Sequence, residues 1–156
     1  MALETGGAAG PAATLVAGVG NPLRRDDGVG PRLIRCLRSA GLLQDFVLVE
    51  REPDMFALLD ELQEYSKAII VDAVEMGAAP GSLRIFTAGE LESARIREFS
   101  STHGFGLREL VELDVQTEIL VAGIQVRDVS FGEELSPELA ARLDVLAGEL
   151  GGLLGN

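Results

Sequence analysis

Apolar residues recur along this chain in two rhythms. From Thr14 to Val19 the run TLVAGV is short and unbroken until Gly20, the pattern of a strand covered on both faces. After a polar loop, Val29, Leu33, Ile34 and Leu37 return at helical spacing, and Gly41 stands where a C-terminal cap belongs. Phe46 to Val49 alternates weakly as a second strand. Asp54 then sits at the cap position of a helix with Met55, Leu58, Leu59 and Leu62 on one face. Lys67 to Ala73 (KAIIVDA) reads as a third buried strand with Asp72 at its mouth.

In the second half, a Pro80-Gly81 turn leads into a short extended piece ending at Phe86, expected at the sheet edge. Glu90 to Phe99 and Gly106 to Leu113 predict helices, and Ile119 to Val126 (ILVAGIQV) predicts the last strong strand. Ser136-Pro137 opens a helix striped by Leu139, Leu143, Leu146 and Leu150 and ended by Gly151-Gly152. Buried strands alternating with amphipathic helices predict an α/β protein, a three-layer α/β/α sandwich around a mostly parallel twisted sheet with an antiparallel strand at its edge. One domain over residues 13–156 is expected. Residues 1–12 are too poor in large side chains to bury anything and are expected to form a loose arm.

Charge narrows the function classes. The 156 residues include 13 Lys and Arg against 25 Asp and Glu, a net charge of −12. A nucleic-acid binder needs a basic face, so that class is excluded. No apolar run reaches the length that spans a bilayer, and residues 1–13 lack the positive start and apolar stretch of a signal peptide, so no membrane partner is expected. Cys36 is the sole cysteine, which rules out an internal disulfide and a thiolate-rich zinc site and fits a reducing, cytoplasmic setting.

Open α/β sheets bind ligands beyond the carboxyl ends of their strands. If the first and third strands are neighbours, the loop GVGNPLRRDDGVGP (Gly18 to Pro31) and the end of AIIVD converge, bringing Asp26 or Asp27 towards Asp72. Two carboxylates about 4 Å apart at an effective dielectric of about 20 repel by roughly 4 kcal/mol, which favours a shared proton or a bound cation. His103, the only histidine, lies in SSTHGFGL. An imidazole with two carboxylates is a ligand set for a borderline transition metal and leaves positions open for water or substrate. Plainer readings stand beside this one. Either acid of the pair can favour a helix N-terminus by about 0.3–1 kcal/mol. Asp72 can serve as a loop acceptor, His103 as a surface residue and Cys36 as core, while the glycines of the first loop can simply permit tight turns.

These segments carry a resemblance. The first loop is similar to the G-x-G-N-x-x-x-x-D-D/E-G-x-G signature of the nickel–iron hydrogenase maturation proteases. IIVDAVEMGAAPGSLRIF resembles that family's second block, and STHGFGL its third. The resemblance implies an endopeptidase that removes a short C-terminal extension from the hydrogenase large-subunit precursor after nickel insertion. It implies Asp27, Asp72 and His103 as the catalytic and metal-ligating set. It further implies that nickel arrives with the substrate as the recognition element, that zinc or cadmium can substitute, and that no organic cofactor is needed. Asn21 and the backbone N–H groups at Gly20 are then expected to orient the substrate or stabilise an oxyanion. One segment departs from the family: Glu50-Arg51-Glu52-Pro53 stands where a Gly-Gly-Thr or Gly-Gly-Ser stretch is usual, and it is expected to face the substrate.

Two other readings compete. A dinucleotide-binding domain would use Gly18-x-Gly20 and a ribose acceptor at Glu50, but Leu23 occupies the place of the third glycine. A phospho-acceptor signalling domain also uses an acidic pair and an Asp after the third strand, yet it needs a lysine where Gln125 and Val126 stand.

Overall fold

Strand β1 (Thr14–Val19) is buried on both faces because neither face carries a charged side chain. It lies parallel between β2 (Val47–Arg51) and β3 (Lys67–Glu75), and β3 is in turn parallel to β6 (Glu118–Gln125). Strand β4 (Leu83–Thr87) runs antiparallel to β6 at the edge, giving the order β2-β1-β3-β6-β4, as the turn at Pro80-Gly81 foretells. A two-residue strand, β5 (Arg97–Glu98), pairs antiparallel with the end of β3. This computed structural model describes residues 13–99 and 104–155. The expected N-terminal arm and His103 lie outside the described residues.

Alternation along the strands divides the core into two layers. Leu15, Ala17, Val19 and Ile70 face α2 (Met55–Leu62) and α4 (Leu107–Val111). Val16, Ile69 and Val71 face α1 (Val29–Ser39) and α5 (Pro137–Leu154). Each fully buried Val, Leu or Ile side chain among them contributes about 1.5–3 kcal/mol. Cys36 is partly buried against the second layer, as expected of a small apolar residue.

Local signals set the helix ends. Gly41 has φ +68°, its N–H donates to Arg38 O and the Leu42 N–H to Leu37 O, so α1 closes in a Schellman turn. Asp54 caps α2 by accepting from Ala57 N at 3.1 Å.

Several boundaries differ from the sequence expectation. Helix α3 covers only Ala88–Ser93, begun by a Thr87–Glu90 capping box, and the chain is extended again at Ala94. Four backbone carbonyls of residues 91–96 are turned to the Arg108 guanidinium instead of continuing a helix. Helix α5 runs through Gly151-Gly152 to Leu154, because Gly151 lies against Leu42, where the small residue serves packing and not termination. Strand β3 continues three residues past Asp72. Partners β5 and β6 extend beyond that point and keep its backbone paired, whereas β1 pairs only as far as Gly18 with Val71.

Candidate active site

The loop after β1 reaches α1 through a 3-10 turn, Arg25–Gly28, that packs against β3. Four glycines make this approach possible, and none of them has a positive φ. A Cβ on Gly30 would lie 2.5 Å from the Val71 carbonyl oxygen and 2.7 Å from that of Val19. One on Gly18 would lie 2.3 Å from Gly30 O, and one on Gly20 only 1.9 Å from Asp27 O. Proximity, not turn geometry, therefore requires glycine at these positions. The first turn of α1 is wedged between the carboxyl ends of β1 and β3, one residue short of Asp72.

Arg25 occupies a positive φ of 44°, an unfavourable region for a residue with a Cβ. Its backbone is held there by Arg25 N donating to Gly132 O at 2.9 Å. The turn sends its two acids to different places. Asp26 is buried and accepts from Arg127 N, Asp128 N, Ser136 N and Ser136 Oγ at 2.7–2.9 Å, tying the first loop to the start of α5. Neither acid caps α1, whose N-cap Gly28 has no side-chain bond.

Asp27 is also buried. Its Oδ2 accepts from Asn21 N at 3.2 Å, and among the described residues its Oδ1 is a buried side-chain oxygen with no hydrogen-bond partner. Burial pushes the Asp27 carboxyl above the ordinary aspartate range, against the opposing pull of the Asn21 N–H and the Arg24 charge. Asp72 is fully buried, with Oδ1 accepting from Ala73 N at 2.9 Å. It alternates with Ile70 and Val74, which places it on the side of the sheet covered by α2 and α4.

The structure thus brings the Asp27 turn against the strand that bears Asp72. His103 falls outside the described residues, and among the described residues no three His, Cys, Asp or Glu side chains form a metal-holding group. The orphaned Asp27 Oδ1 fits a cation or a donated proton from elsewhere.

The chain on either side of residues 100–103 is firmly anchored. Glu98 accepts from Leu107 N and, at 2.8 Å, from Arg108 N. Phe105 stacks on Phe56 with ring centroids 4.4 Å apart. Sequence reading singled out neither Glu98 nor Phe56. An acid nine residues before its target and a phenylalanine on a separate helix leave no periodic signal.

Gly20 N donates to Arg51 O at 3.3 Å, and Asn21 Oδ1 accepts from Leu23 N at 2.9 Å. Features of the competing readings are engaged structurally. Glu50 is held by Arg35 and Arg38, each at 2.9 Å, so it is not a poised ribose acceptor. Gln125 Oε1 accepts from Met76 N and Ala78 N.

A three-layer sandwich with a buried acid in the turn after β1 and another on β3 defines an α/β class, and comparison makes that class specific. The hydrogenase maturation protease family model matches residues 32–150. The coenzyme F420 hydrogenase subunit delta of Methanothermobacter thermautotrophicus is 29% identical over 129 residues, 74% of this chain and 76% of that protein. The hydrogenase expression/formation protein HupM of Azotobacter chroococcum is 28% identical across 83% of this chain and 66% of its own length. Among solved structures, the hydrogenase 2 maturation peptidase of a Thaumarchaeota archaeon superposes with a TM-score of 0.62 at 31% identity, covering 92% of this chain and 98% of that one. The chain belongs to the hydrogenase maturation protease family, a family of peptidases. The family match begins at Arg32, so the case for Asp27 rests on its geometry and on the signature loop itself.

Proposed function

We propose that this peptidase removes the C-terminal extension of a nickel–iron hydrogenase large-subunit precursor in the cytoplasm once nickel has been inserted. Asp27, Asp72 and His103 grip the substrate's nickel. The observation that carries the reading is the bare, buried Oδ1 of Asp27, in a turn packed on the strand of Asp72, in a chain of this family.

A buried carboxylate oxygen without a partner is costly to maintain, and stability alone gives no reason to keep it. Nickel carried by the precursor satisfies the acids and fixes the scissile peptide at the strand ends. Bound there, that cation would supply Lewis-acid polarisation of the scissile carbonyl or of a water, with Asp27 serving it as a deprotonated ligand. The Asn21 NH₂ orients the peptide. Zinc or cadmium would occupy the same donors, and no organic cofactor takes part.

Nickel-loaded precursor incubated with the purified protein should lose mass at its C-terminus, and Asp72→Asn and His103→Ala should abolish that loss. Full cleavage by His103→Ala would remove the imidazole from the reaction. Precursor lacking nickel should remain intact, and its cleavage at the same rate would sink the recognition role.

A further inference from the structure

A cleft of about 190 Å³ opens beside the Asp27 loop, between the first turn of α1 and the end of β2. Gly20 and Gly28 contribute a wall without side chains, where a peptide backbone can approach closely. The volume is below the several hundred Å³ that enclose a whole small molecule, so the cleft suits a single side chain or a chain end.

Its charged walls are unequal. Glu50 is neutralised by Arg35 and Arg38, and Arg51 is closed on Glu61 at 2.8 Å. Glu52 is exposed, and solvent screens it. Arg32 is half-buried and differs from the rest: Nη2 donates to the Glu133 carbonyl, and among the described residues no carboxylate pairs with it. A guanidinium has five donors in a fork that matches a carboxylate, so most of its capacity is unspent. On a chain of net charge −12, this cation adds positive charge beside the candidate site.

Building on the peptidase reading above, we infer that Arg32 binds a carboxylate of the precursor's C-terminal segment and so sets how the peptide lies past Asp27. An acidic peptide would otherwise be repelled by this surface. Arg32 is a specificity-determining residue here and has no part in the bond-breaking step.

The test uses the full-length protein and nickel-loaded precursor at low and high salt, with thermal midpoints measured for every variant. Arg32→Gln should raise KM about tenfold with kcat retained, and should flatten the salt dependence of KM; Arg32→Lys should recover part of the loss. Two altered precursors identify the source of the carboxylate, one with the acidic side chains of the extension changed to amides and one ending in a ligated C-terminal amide. The altered precursor that wild type and Arg32→Gln cleave with equal KM has lost the group Arg32 binds. Equal KM and equal salt dependence for wild type and Arg32→Gln on the unaltered precursor, at matched thermal midpoints, would overturn the subsite. Failure of the wild type to cleave that precursor would instead overturn the peptidase reading itself.

Discussion

Asp26 and Asp27 are neighbours in the chain and opposites in the fold. Among the described residues, Asp26 receives four hydrogen bonds at 2.7–2.9 Å from the segment leading into α5, whereas Asp27 receives one at 3.2 Å and keeps a bare oxygen. The first acid closes the structure, and the second is left unsatisfied at the mouth.

Replacing Asp26 should therefore damage stability before chemistry. Asp26→Ala would orphan three backbone N–H groups and a hydroxyl, and should cost about 3 kcal/mol in urea unfolding. A variant that unfolds like wild type but fails to process precursor would give Asp26 a functional role that its hydrogen bonds do not suggest.

Asp27 should behave in the reverse way. Its folded pKa is raised above the ordinary 3.8, so the native protein holds this proton more tightly than the unfolded chain does. The stability linked to the group is complete below pH 3.8 and is lost as pH rises from there through the higher folded value. Asp27→Asn escapes that loss. It should be more stable than wild type at pH 7, with the gap narrowing on acidification, while processing is lost. Urea titrations at both ends of this range check the sign, and a variant less stable at pH 7 would contradict it.

Gly30 is a steric requirement. Alanine would place its Cβ 2.5 Å from Val71 O and push α1 off the strand ends. A loss of about 2 kcal/mol is expected, with a reduced thermal midpoint as the readout. An unchanged midpoint would mean that the helix can retreat at no cost.

The Cys36 thiol is pushed up from its ordinary 9.0 by burial and then by the Asp144 charge. Thiolate is scarce at neutral pH, so alkylation by iodoacetamide, followed by mass spectrometry, should be slow at pH 7 and accelerate as pH rises past the ordinary thiol range. Rapid labelling at pH 7 would contradict the raised thiol.

How much was legible in advance varies by element. Strand β1 and the cap at Asp54 were read correctly because continuous apolar runs and capping residues act over a few neighbours. The end of α5 was misread because a Gly-Gly pair has two meanings, and contact with Leu42 selects the packing one. The end of β3 was misjudged for a similar reason: partners distant in sequence decide how far a strand stays paired.

The candidate site divides along the same line. Residue types and their order left Asp26 and Asp27 both open beside Asp72 and His103, and the resemblance of the signature loop to the protease family is what implied Asp27. The tertiary structure supplies the physical difference between Asp26 and Asp27, because that difference lies in donors more than a hundred residues away. It alone revealed Arg32 as an unmatched cation and the loop glycines as contact points between a helix and two strand ends. Local periodicity encodes which elements form. What each charge is paired with depends on which distant groups the folded chain delivers to it, and one sequence read in order does not contain that distance.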